Sequence, residues 1–341
     1  CNSRFLNVAL KIVNQDGTLG ADVPMYMIGA EQSLLPQVVK IETGLKTALP
    51  GDGTEPADGA GDAAADPQEA LLMGLAERAD VIVDFSGMAP GTTIRMINTA
   101  PDAPFGGFPD LPADPSTSGQ VMQFVVMADN PDTPPDNSTP AASLQLGPVD
   151  EAEAGLPSSV TRDLALLEEE STSICVQVKP NGQIAQIGKV KGGGANFLTD
   201  CAAAGGVPFA PKAAVLGDGG AAGGTVTLWS DPIVTNPALG ATETWELWNW
   251  SADAHPIHLH LVKFQVQDRQ VIGGPVRTPE ATEAGWKDTV IAYPGEVTRV
   301  KATFDLPGLY VWHCHIVEHE DNEMMVPYCV GDPGANGCAG L

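Results

Sequence analysis

"GLYVWHCHIVEHEDNEMM", Gly308–Met325, sets Cys314 between His313 and His315, with His319 five residues and Met324 ten residues beyond the cysteine. The opening residues are β-branched and aromatic after a glycine, a strand by composition. Successive side chains of a strand point to opposite faces. His313 and His315 therefore share one face, and Cys314 points the other way. One short segment can then feed two metal centres, with the cysteine backbone as the bridge between them. The chain holds six histidines, three here and three in "HPIHLH", His255–His260, with none in the first 254 residues.

Working outward, strand signals dominate. "SRFLNVALKIV", "ADVIVDFSG", "TTIRMINTA" and "GQVMQFVVMA" are β-branched or alternating runs bounded by turn residues. "TRDLALLEE", "TVTLWS", "TETWELWNW", "HLVKFQVQD", "DTVIAYP" and "EVTRVKATFD" continue the pattern. "SICVQVKPNGQIAQIGKV" reads as a hairpin turning at residues 180–182. Helical periodicity is scarce, and "DPQEALLMGL" is too short to decide. The expectation is an all-β chain of sandwich type.

Three stretches interrupt it. Residues 50–67 are a Gly/Ala/Asp low-complexity insertion, read as a mobile surface segment. Residues 129–159 are Pro-rich and acidic, the best linker between a domain at 1–128 and a second at 160–341. Residues 191–224 read as a long Gly/Ala-rich loop.

A chain of 341 residues can hold two domains with cores of their own. Only 18% of residues are charged while 43% are hydrophobic, which argues against wholesale disorder. The net charge of −26 repels nucleic acid and anionic membrane surfaces, so neither is an expected partner. No apolar run reaches the 18 or so residues of a membrane span. The chain begins "CNSRFLNVALKIV", strand-like and without an initiator Met, so upstream residues, including any signal peptide, are expected to be missing. The six cysteines are Cys1, Cys175, Cys201, Cys314, Cys329 and Cys338. Spacing allows disulfides Cys175–Cys201 and Cys329–Cys338, with connectivity open and Cys1 readable as a buried thiol. Such disulfides imply an oxidising compartment, hence an extracellular, periplasmic or cell-surface location.

The cysteine face carries the sharper chemistry. A thiolate, two imidazoles and a weak thioether form the ligand set of a blue-copper electron-transfer site. Cys314, His319 and Met324 supply three donors, and His255, stiffened by Pro256, is the imidazole available for the fourth. On the other face, His258 and His260 share one side of a strand and join His313 and His315 in a second group of four imidazoles. Zinc is the rival metal. It is disfavoured because a thioether is a poor zinc ligand and the local cysteine has no second cysteine beside it.

These motifs resemble the multicopper oxidases, especially the bacterial spore-coat laccase and bilirubin oxidase branch. The resemblance is carried by "HPIHLHLVKFQVQDR", "GWKDTVIAYPGEVTRV" and "YVWHCHIVEHEDNEMM", and extends back to "LWSDPIVTNPALGATETWELWN". "LAERADVIVDFSG" resembles the family's middle domain. The resemblance implies two cupredoxin-like Greek-key β-sandwich domains, the middle one (1–128) incomplete at its N-terminus and the C-terminal one (160–341) copper-binding. It implies type 1 copper at His255, Cys314, His319 and Met324, type 2 copper at His258, and a binuclear type 3 pair at His260, His313 and His315. It further implies that Glu320 relays protons towards dioxygen, a sensible task for an acid because oxygen reduction consumes protons.

The departure is the absence of the family's other HxH motifs. Half of the cluster's eight histidines would have to come from a companion N-terminal domain or chain carrying two HxH motifs. Alone, the chain is expected to hold the type 1 site and half a cluster, and not to reduce dioxygen. The leading expectation is the C-terminal part of a laccase-like oxidase coupling phenolic, aromatic-amine or bilirubin-like donors to dioxygen. A cuprous or manganous oxidase is the nearest rival. Beyond these stand a non-enzymatic blue-copper electron carrier, which has no need of four convergent histidines, and a coat protein that has lost its metals.

Overall fold

The computed structural model describes residues 4–42, 71–103, 105–106, 113–132, 134, 136–147, 155–169, 174–181, 183–187, 196–208, 213–334 and 338. Strands dominate these residues, and the α-helices are the short Phe197–Ala203 and Val317–Glu320. No helix among them is long and apolar enough to cross a membrane.

Two sheets build the N-terminal unit. In one, Leu6–Val13 lies between Leu19–Val23 and Thr93–Asn98, Gln120–Val125 forms the edge, and Leu71–Met73 also pairs with Leu6–Val13. In the other, Met25–Gly29 lies between Leu34–Ile41 and Asp80–Val83. Alternation decides which residues meet. "MYMIG" buries Met25, Met27 and Gly29 and leaves Tyr26 and Ile28 partly open. Both sheets contribute to one core, with Val8, Leu10 and Ile94 from the first and Met25, Leu35 and Ile41 from the second.

The C-terminal unit repeats the plan on a larger scale. Seven strands run in the order Gly223–Val226, Ala213–Gly220, Val160–Glu169, Ala241–Asn249, Glu296–Phe304, Phe264–Val271 and Val276–Arg277. Val160–Glu169 and Ala241–Asn249 are parallel neighbours, which requires a crossover between them. The second sheet has the order Thr289–Ala292, His255–Leu259, Gly308–Cys314, Met325–Val330. Their shared core includes Trp245, Leu247, Val300 and Phe304 from one side and Ile257, Trp312, Cys314 and Tyr328 from the other. Phe5, Ala100 and Phe105 of the N-terminal unit complete it, so the two units share buried apolar surface. The arrangement is the all-β pair of sandwiches that the strand pattern implied.

Several local expectations change. Residues 191–224 are not one loop. Phe197–Ala203 is helical, tied by a Cys175–Cys201 disulfide, and Ala213–Gly220 pairs antiparallel with Gly223–Val226. The glycines here allow close strand approach. A Cβ on Gly217 would lie 2.1 Å from the Thr225 carbonyl oxygen, and one on Gly224 would lie 2.4 Å from Ala165 Cβ. Glycine-rich sequence therefore marks a crowded hairpin, the exception to its usual reading as loop. The strand expected over "TVTLWS" ends at Val226. The ambiguous "DPQEALLMGL" contributes the strand Leu71–Met73. The hairpin around residues 180–182 is present, with Val178 opposite Ile184. Cys329–Cys338 is also a disulfide. Cys1 and the 50–67 insertion lie outside the described residues.

Candidate metal centre

Register fixes the site. His255–Leu259 runs antiparallel to Gly308–Cys314, with Ile257 opposite Cys314 and His258 opposite His313. The two HxH pairs therefore meet on one face of the sheet and the thiol on the other.

On the thiol face, Cys314 Sγ is 3.7 Å from His255 Nδ1 and 3.7 Å from His319 Nδ1. His319 reaches it because the chain leaves the strand and makes one helical turn, Val317–Glu320. Glu323 adopts a positive φ of 74°, which reverses the chain into Met324. The Cys314 amide then donates to the Met324 carbonyl at 3.0 Å, and the Met324 amide to the His319 carbonyl at 2.9 Å. The five- and ten-residue spacings thus close a backbone loop beneath the sulfur. Met324 is fully buried in the same core as Cys314.

Burial shapes the protonation of this group. It pushes the Cys314 thiol well above its usual range. Burial, reinforced by His319, lowers His255 to about 3, and burial also lowers His319. Two neutral imidazole lone pairs beside a buried sulfur outside any disulfide form a soft donor set. A bound cation supplies the positive charge that a buried thiolate needs, so the residues fit copper.

On the other face, one ring nitrogen from each of His258, His260 and His313 lies within 4.8 Å of the others. His313 Nδ1 is 3.0 Å from the Cys314 carbonyl, and His258 Nδ1 is 2.7 Å from the Asp288 carbonyl. A carbonyl only accepts, so both Nδ1 atoms carry hydrogen and both Nε2 atoms are free to ligate. His313 Nε2 and His260 Nε2 face each other at 3.2 Å. Such a pair satisfies one hydrogen bond at most, whereas a shared cation engages both lone pairs. His315 stands at the rim, its ring centroid 5.3 Å from His313 and 5.9 Å from His258. Burial lowers His313 to about 4 and, reinforced by His258 and His315, lowers His260 as well. Glu320 Oε2 is 3.5 Å from His313 Nδ1 and 4.0 Å from His315 Nδ1. Consecutive residues of one helical turn therefore face different groups, His319 the thiol and Glu320 the imidazoles.

Sequence reasoning missed the residues behind His258. The Asp288 carboxylate accepts from Arg78 Nη1 at 2.9 Å, Arg78 Nη2 at 2.6 Å, Gln32 Nε2 at 2.6 Å and the Thr289 hydroxyl at 2.9 Å. Burial opposes its charge, but hydrogen bonding from His258, Arg78, Gln32 and Thr289 holds its carboxyl far below the usual range. Arg78 and Gln32 belong to the N-terminal unit, which thus reaches across to fix the main chain under His258. The "KDTV" stretch was visible, but partners more than 200 residues away in sequence leave no local signal.

Residues 210–334 match the family model for multicopper oxidases. The laccase of Bacillus subtilis is 46% identical over 119 residues, covering 31% of this chain and 23% of that protein. The laccase of Haloferax volcanii is 34% identical over 273 residues, covering 79% of this chain and 36% of that protein. The chain thus spans well under half the length of both laccases. The McoA multicopper oxidase of the hyperthermophile Aquifex aeolicus superposes with a TM-score of 0.56 at 22% identity, over 97% of this chain and 53% of that one. That likeness identifies both units as cupredoxin-like β-sandwiches. On the family match of residues 210–334 and on its laccase relatives, the chain belongs to the multicopper oxidase family.

Proposed function

We propose that the chain is the C-terminal part of a laccase-like oxidase that couples one-electron oxidation of phenolic or aromatic donors to four-electron reduction of dioxygen to water. The observation that carries this reading is the placement of Cys314 between His313 and His315, with sulfur and imidazoles on opposite faces of one strand. His255, Cys314, His319 and Met324 would hold a type 1 copper, His258 a type 2 copper, and His260, His313 and His315 a type 3 pair. When bound, copper supplies the one-electron chemistry at the first centre and the dioxygen chemistry at the second. Cys314 is joined by one peptide unit to each flanking histidine, so the two donor sets are covalently continuous. His255 and His319 present neutral imidazoles to the sulfur, and the carbonyls of Asp288 and Cys314 orient His258 and His313. Glu320 sits where it can hold a proton beside His313 and His315.

Completion of the cluster calls for four more histidines, from a companion domain or chain bearing two HxH motifs. Two disulfides support a location in an oxidising compartment, extracellular, periplasmic or at the cell surface. The test is copper loading, metal counting, visible absorption and oxygen uptake with a phenolic donor, with and without such a companion. The reading expects blue colour from this chain alone and oxygen uptake only with the companion. A colourless copper-loaded chain would sink it.

A further inference from the structure

We infer that Ser251 is a positioning residue that locks the tautomer of His255, directing the Nδ1 lone pair at Cys314. The inference concerns this chain's own hydrogen bonds, and its link to copper rests on the function proposed above.

The argument begins at Asn249, which is fully buried. Its Nδ2 donates to the Asp253 carbonyl at 2.8 Å and the Ala292 carbonyl at 2.9 Å. Those two contacts fix the orientation of the amide, so Oδ1 is the acceptor. Oδ1 receives the Ser251 amide at 2.9 Å and lies 2.6 Å from the Ser251 hydroxyl. The hydroxyl also lies 3.0 Å from the Asp253 carbonyl and 2.7 Å from His255 Nε2.

A hydroxyl has one hydrogen and two lone pairs. Two of its three neighbours, Asn249 Oδ1 and the Asp253 carbonyl, are acceptors only. Were its hydrogen given to His255 Nε2, two oxygens would stand 2.6 Å apart with no hydrogen between them. That arrangement is repulsive in a buried site, where unmade hydrogen bonds are most costly. The hydrogen therefore goes to Asn249, and Nε2 of His255 must be the donor to Ser251. A neutral imidazole has a single N–H, and this geometry puts it at Nε2. Its Nδ1 is left as a bare lone pair 3.7 Å from Cys314 Sγ, where it can accept from the thiol or ligate a cation. Ser251 does this with a neutral acceptor, so no negative charge is placed behind the imidazole.

The first test needs no metal. Long-range proton–nitrogen NMR of the copper-free chain reads the His255 tautomer directly. The wild type should show hydrogen on Nε2. Ser251→Ala removes the acceptor and should move the tautomer ratio roughly ten-fold towards Nδ1–H, the equivalent of about one lost hydrogen bond, and Ser251→Thr should restore the wild-type ratio. A wild-type His255 with hydrogen on Nδ1 overturns the inference without recourse to any variant. An unchanged ratio in a folded Ser251→Ala chain does so too. In the copper-loaded chain, Ser251→Ala should raise the reduction potential of the blue site, because a ring with no acceptor behind it donates less to oxidised copper. Should the loaded wild type lack blue colour, the functional reading fails, while the copper-free measurement still decides the role of Ser251.

Discussion

Lys287→Met tests how the two units are held together. The Lys287 side chain is 4% exposed, that of Glu31 0% and that of Glu77 9%. The ammonium lies 2.8 Å from Glu31 Oε1 and 3.3 Å from Glu77 Oε1, both across the interface between units. Burial opposes its charge, but the carboxylates of Glu77 and Glu31 outweigh burial and raise its pKa. Replacement by methionine preserves length and apolar contact while leaving two buried carboxylates facing each other. Breaking a buried ion pair from one side costs about 3–5 kcal/mol. The loss should appear as a lower urea midpoint, fitted to a multi-step scheme because a chain with two cores need not unfold in one step. Faster amide exchange should accompany it in Met25–Gly29 and Thr289–Ala292, the strands beside the interface. Adding Glu31→Gln should recover a large part of the loss, since the double-mutant cycle isolates this contact. A loss below about 1 kcal/mol, against the value expected of a buried pair, would refute the reasoning. So would the absence of any recovery on adding Glu31→Gln.

Cys314→Ser should abolish blue absorption in the copper-loaded chain and leave the far-ultraviolet dichroism unchanged, because Cys314 takes part in no disulfide. Arg78→Ala should destabilise by about 1 kcal/mol in a urea titration, a charged hydrogen-bonded pair discounted for a side chain that is 51% exposed. Replacing Cys175 and Cys201 with alanine should cost about 3.5 kcal/mol by the chain-entropy estimate for a separation of 26 residues. Thermal unfolding should report it as a lower midpoint. Gly217→Ala should disrupt the pairing of Ala213–Gly220 with Gly223–Val226, since the new methyl would meet backbone at 2.1 Å. Faster amide exchange confined to that hairpin would show it.

The legible parts of the molecule were those governed by local periodicity and donor chemistry. Alternation in Gly308–Cys314 assigned two faces, and the structure brings Cys314 to His255 and His319 on one and His313 to His258 and His260 on the other. The Cys175–Cys201 and Cys329–Cys338 pairs were open to spacing arguments because each joins cysteines close in sequence, 26 and 9 residues apart. What escaped was non-local. Asp288 is held by Arg78 and Gln32, and nothing in "KDTV" announces partners in the other unit. The hairpin at 213–226 was misjudged because glycine serves both loose loops and tight strand contacts, and composition cannot separate the two. Ser251 was hidden for a simpler reason. A serine four residues before a histidine is ordinary until its hydrogen-bond partners are known.

The alternation along Gly308–Cys314 also imposes a parity rule on chain length. Deleting one residue ahead of the cysteine would swap thiol and imidazole sides in a single stroke. Deleting two would keep the sides but slide every donor about 6.8 Å along the strand, far beyond a metal–ligand bond. Neither odd nor even changes of length are therefore tolerable here, and this segment can evolve only by replacement, at positions such as Tyr310 and Val311 that carry none of the donors.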